Sequence, residues 1–89
     1  MSADSVSPAS FSVLRLRVTA EADPGAIARV LERFQNLNVV PRRVVAEYGT
    51  AEILHIQVDV AGVTEDRLSL IAARLEQCPI ITRAFWHHI

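Results

Sequence analysis

Leu14, Leu16, Val18 and Ala20 alternate with Val13, Arg15, Arg17 and Thr19. A period of two predicts a strand over residues 11–20 with one buried face. The period then changes. Ile27, Val30, Leu31 and Phe34 fall at i, i+3, i+4 and i+7, and Leu37 continues the stripe. That spacing predicts a helix from Pro24 to about Asn36, capped by Asp23. Val39, Val40, Val44 and Val45 favour a second strand over 39–48. Pro41 has no ladder donor, so this strand belongs at a sheet edge or begins late. Gly49-Thr50 predicts a hairpin turn. In the returning strand, 52–60, Leu54, Ile56, Val58 and Val60 share one face, and Ile53, His55, Gln57 and Asp59 share the other. Thr64 is a good N-cap. Glu65 and Asp66 suit the first turn of a second helix, and Leu68, Ile71, Ala72 and Leu75 form its apolar stripe. Pro79 stops it, and residues 80–88 form a last strand rich in β-branched and aromatic residues.

The order is β-α-β-β-α-β. Right-handed crossovers then give an α+β, ferredoxin-like fold: a four-stranded antiparallel sheet of order 4-1-3-2 with two helices on one face. The Pro41 strand falls on an edge in that order. The uncovered face is mixed, carrying Arg15, Arg17, His55, Gln57 and Asp59, and Arg15 or Arg17 can pair with Asp59 across neighbouring strands. A second copy can meet this face or an open edge. The last strand, with Phe85, Trp86 and little charge, is the favoured edge.

The 89 residues make one domain, 11–89, behind a polar N-terminal segment, 1–10, expected to be a disordered tail. A hydrophobic fraction of 51% is high for so small a core and points to a homo-oligomer, a dimer or higher. Nine basic and ten acidic residues give a net charge of −1, which argues against nucleic acid. No apolar run is long enough for a membrane span. Cys78 is the single cysteine, so no disulfide forms within the chain, and the expected location is cytoplasmic. His87 and His88 are adjacent on a strand and point to opposite faces, which disfavours a shared metal. No cofactor, metal or catalytic set is expected.

The corner Asp23-Pro24-Gly25 joins strand to helix. A helix N-terminus carries unpaired N–H groups and partial positive charge, so it can hold a carboxylate or phosphate. The same residues also make an ordinary helix start: Asp caps, Pro suits the first position, and Gly permits close approach.

Residues 12–88 resemble the ACT domain family. The resemblance rests on Pro24-Gly25 after the first strand, Ile27-x-x-Val30-Leu31-x-x-Phe34, Asn38-Val39-Val40-Pro41 and Val58-x-Val60. It implies the fold above, side-by-side or face-to-face pairing, and an amino acid held at the joint. By that resemblance Asp23, Gly25 and Ala26 line the ligand site, with Asn38 and Val39 approaching from the second strand. It further implies a non-catalytic regulator of a partner enzyme of amino-acid metabolism. The alternative is a ligand-free assembly subunit for a catalytic partner such as an acetolactate synthase large subunit. Ala22 stands where many amino-acid-binding members carry a polar residue.

Overall fold

The computed structural model describes residues 12–89; the expected tail, 1–10, and Phe11 lie outside the described residues. Six elements follow in order: β1 (Val13–Glu21), α1 (Ala26–Asn36), β2 (Arg43–Tyr48), β3 (Ile53–Ala61), α2 (Glu65–Glu76) and β4 (Ile81–His88). The sheet is antiparallel with order β2-β3-β1-β4, the expected 4-1-3-2 arrangement.

The core lies between the sheet and the two helices. Leu14, Leu16, Val18 and Ala20 of β1 are buried, as are Ile56, Val58 and Val60 of β3. They meet Val30 and Phe34 of α1 and Leu68, Ile71 and Leu75 of α2. The period-2 and period-3.6 patterns therefore meet in one apolar layer. The α1 stripe is rotated from its expected position. Ala26, Val30 and Phe34 are buried, whereas Ile27 is 36% exposed and Leu31 is half-buried toward the β2 side.

Helix α1, strand β2 and the hairpin turn differ from expectation, each for a local reason. Helix α1 starts at Ala26, not Pro24, because Asp23 folds into its own turn. Strand β2 starts at Arg43, because Pro41 cannot donate and the Arg42 N–H already reaches the Asp59 carbonyl at 2.7 Å. The hairpin turn spans Gly49–Glu52, with Ala51 and Glu52 both left-handed at φ 57° and 55°. Helix α2 matches expectation: the Arg67 N–H donates to Thr64 Oγ1 at 3.1 Å.

The two sheet edges differ. On β4 the Ala84 N–H, which β1 does not use, donates to the Glu76 carboxylate of α2 at 2.9 Å. The Trp86 indole N–H donates to Ser69 Oγ at 2.7 Å, which ties the strand down onto α2. On β2 the Gly49 N–H donates to the Ile53 carbonyl at 2.7 Å. Antiparallel alternation from that bond leaves the backbone groups of Val44, Ala46 and Tyr48 facing outward. The guard at Ala84 thus lies on β4, the edge the sequence favours for pairing, and among the described residues β2 carries no such guard. Among the described residues no helix is long and apolar enough to cross a membrane.

Candidate functional site

The strand–helix corner is pinned from both sides of β1. The Glu21 N–H donates to the Ile80 carbonyl at 2.8 Å, and the Ala22 N–H donates to the Glu52 carbonyl in the hairpin turn at 3.0 Å. Asp23 then turns the chain on itself. Its Oδ1 accepts from the Gly25 N–H at 2.8 Å and its carbonyl accepts from the Ala26 N–H at 2.9 Å. Gly25 is the N-cap residue, and no side chain caps the helix. A Cβ on Gly25 would sit 3.3 Å from Asp23 Oδ1, so this turn leaves little room beside the glycine. The carboxylate of Asp23 thus already occupies the anion-accepting position at Gly25. Ala26 is fully buried, so its methyl group is not open to a ligand at the corner. Among the described residues, the Ile27 and Ala28 N–H groups meet no hydrogen-bond acceptor. These are the free donors of the helix N-terminus.

Asn38 and Val39 close the other end of α1. The Val39 N–H donates to the Phe34 carbonyl at 3.0 Å and the Asn38 N–H to the Gln35 carbonyl at 2.9 Å. Asn38 has φ 59°, in the left-handed region. This is a Schellman motif, in which the residue past the cap turns left-handed and frees the chain to leave the helix. Asparagine is one of the few residues other than glycine that accept that conformation. The Asn38 side chain is exposed, and Val39 packs half-buried against the core.

The five expected site residues thus divide into two groups. Asp23, Gly25 and Ala26 stand at the start of α1, and Asn38 and Val39 at its end. The eleven-residue helix lies between Gly25 and Asn38, about 16 Å at 1.5 Å per residue. They do not form one site within one copy. Asn38 and Val39 instead border a groove of ≈ 390 Å³ between α1 and the β2 side, with Leu31, Val40, Pro41 and Val44. Val40 is 86% exposed and Tyr48 67% exposed. The helices do not reach over β2, so its helix-facing residues are left uncovered. Sequence reasoning missed this groove. Its signal was present in Ile27 and Leu31, which sit one residue off the fully buried stripe.

On the open sheet face Asp59 is buried beneath Arg15. Arg15 Nε donates to Oδ1 at 2.8 Å and Nη2 to Oδ2 at 3.0 Å, a two-pronged ion pair. The pair was expected, but burial of the carboxylate was not. Arg15's hydrogen bonds hold the Asp59 carboxyl below its ordinary range; burial opposes this, and the charges of Arg15, Arg43 and Arg17 reinforce it. Arg17 Nε donates to His87 Nε2 at 2.9 Å, and His87 Nδ1 lies 2.7 Å from the His88 carbonyl. That carbonyl can only accept, so Nδ1 carries the proton and Nε2 the lone pair. His88 turns to the other face and meets Glu65 at 2.8 Å. The two imidazoles are thus committed to different partners.

A family model described as ACT-like domain matches residues 8–84. No curated protein matches the chain. Among solved structures, the C-terminal domain of the MgtC protein from Mycobacterium tuberculosis is similar at a TM-score of 0.74 and 16% identity, covering 94% of each chain. The ACT domain of GTP pyrophosphokinase from Chlorobium tepidum is similar at a TM-score of 0.69 and 12% identity, covering 84% of this chain and 96% of that one. A homoserine dehydrogenase from Thiobacillus denitrificans is similar at a TM-score of 0.70 and 15% identity; 92% of this chain matches 19% of that enzyme. At these identities the likeness is one of fold.

Proposed function

Because the chain belongs to the ACT-like domain family, we propose that it is a regulatory module without catalytic activity of its own. It binds a small metabolite, an amino acid, at the joint between two copies and so modulates a partner enzyme of amino-acid metabolism. The observation that carries this reading is the division of the site. The Gly25 corner and Asn38 sit at opposite ends of α1, beside an uncovered apolar groove and an open β2 edge. A second copy laid antiparallel along that side brings the Gly25 corner of one copy beside Asn38 of the other. The free Ile27 and Ala28 N–H groups then suit the ligand's carboxylate, and the Asn38 amide suits its ammonium group. Regulation follows if the ligand favours one geometry of the pair over another.

A thermal-shift screen of the amino acids tests the reading: one of them raises the midpoint in a concentration-dependent way. Mixing tests the shared site. Gly25→Val and Asn38→Gly chains each lose the response alone. Co-refolded together they regain part of it, because each mixed pair contains one intact corner facing one intact asparagine. No recovery refutes the shared site.

A second reading has its own support. Asp23 already fills the anion position at Gly25, which favours a ligand-free assembly subunit that stabilises a catalytic partner. That reading predicts no response to any amino acid and co-purification with an enzyme that is unchanged by Gly25→Val.

A further inference from the structure

All nine basic residues of this chain are arginine. Four of them fall on the seam between α1 and α2. Arg29 and Arg33 lie one turn apart on α1; Arg67 and Arg74 lie two turns apart on α2. The seam holds two shallow depressions end to end. One, ≈ 260 Å³, is bordered by Arg29, Arg33 and Arg74; the other, ≈ 220 Å³, by Arg33, Arg67 and Arg74. Arg33 and Arg74 therefore stand between the two. Among the described residues none of the four guanidinium groups makes an ion pair, and Glu32 is the single carboxylate bordering either depression. Two of the three acids of α2 are engaged elsewhere, Glu65 with His88 and Glu76 with the Ala84 N–H, and the third, Asp66, borders neither depression. Between the arginines lie apolar residues, Leu37, Leu70 and Ile71 at one end and Leu75 and Pro79 at the other, with the uncharged Asn36 and Gln77 beside them. Leu70 is half exposed.

We propose that this arginine-lined seam between α1 and α2 docks an acidic polypeptide segment of a partner protein. The donors are spread along roughly 10 Å of helix, from Arg67 to Arg74, instead of converging on one point. A small phosphate or carboxylate ligand needs convergent donors in a built pocket, and among the described residues no buried polar side-chain atom lacks a partner. The seam holds no aromatic side chain on which a base could stack, which disfavours nucleic acid. Guanidinium groups alternating with apolar residues suit a chain that offers carboxylates and aliphatic carbons in turn. The seam uses the side of α1 away from the β2 groove. Docking there is independent of the amino-acid site, and either proposal can fail without the other.

The test is fluorescence anisotropy with a fluorescein-labelled peptide of ten glutamates, and a ten-glutamine peptide as the neutral control. The wild type binds the acidic peptide saturably, more weakly as salt rises, and ignores the neutral one. Arg33→Glu/Arg74→Glu weakens binding at least about 10-fold, while Arg42→Glu/Arg83→Glu, which changes the net charge equally, stays within about 3-fold. Circular dichroism checks that each variant folds, and Arg33→Gln/Arg74→Gln replaces the first pair if it does not. Equal loss in both pairs overturns the proposal, as does absence of saturable binding by the wild type. Displacement of the peptide by stoichiometric tripolyphosphate also overturns it, assigning the seam to a small anion instead.

Discussion

Asn38 has two separable roles, and two substitutions pull them apart. At φ 59° its backbone is left-handed, a conformation that costs an ordinary L-residue roughly 1–2 kcal/mol and asparagine less. Asn38→Ala keeps the Cβ and loses the polar side chain that eases this conformation, so we expect a loss of about 1 kcal/mol. Asn38→Gly removes the Cβ penalty but adds freedom to the unfolded chain, a countervailing term of roughly 0.5–1 kcal/mol. Its net effect lies near zero or slightly stabilising. For a domain of this size 1 kcal/mol corresponds to about 4–8 °C in Tm. In thermal unfolding followed by far-UV circular dichroism, Asn38→Ala therefore melts about 4–8 °C below the wild type, and Asn38→Gly melts with it or above. If both variants bind no amino acid, the side chain contacts the ligand; if Asn38→Gly binds normally, the residue only ends the helix. A melting order with alanine at or above glycine would refute the left-handed turn itself.

Three further outcomes follow from the same geometry. Ala51, left-handed at φ 57° in the hairpin turn, gains on replacement by glycine: Ala51→Gly raises stability by about 0.5–1 kcal/mol in urea unfolding. Phe34 is fully buried under the sheet, so Phe34→Ala costs about 3–5 kcal/mol and lowers the urea midpoint with little change in slope. Asp59 ionises more readily folded than unfolded, so its contribution is complete above its ordinary value of 3.8 and is lost as pH falls through the lower folded value. The urea midpoint of the wild type therefore drops more steeply below about pH 4 than that of Asp59→Asn; identical pH profiles would contradict the ion pair.

The fold was legible because its signals are local and periodic. The alternation of Leu14, Leu16, Val18 and Ala20 is visible within eight residues, and Thr64 announces α2 three residues ahead of the N–H it caps. What escaped depends on contacts distant in sequence or on backbone handedness. The burial of Asp59 requires the register that sets it opposite Arg15. Asn38 gives no sign in the hydrophobic pattern that its φ is positive. Asp23 was expected to cap the helix, yet it bonds two residues on, within its own turn, and the helix begins later. The arginine seam draws on two helices separated by two strands, so no window along the chain contains it.

The asymmetry of the sheet edges has a consequence for stoichiometry. In polymer chemistry a monomer with two reactive ends grows chains, whereas one with a single reactive end stops at pairs. Glu76, by taking the Ala84 N–H on β4, works as a partial end-blocking group, and β2 is left as the more reactive end. If copies join strand to strand, this difference favours joining through β2, so that pairs form ahead of longer chains. Exchanging Glu76 for a residue unable to accept that bond would convert a chain stopper into a linker, with filaments or larger assemblies as the visible product.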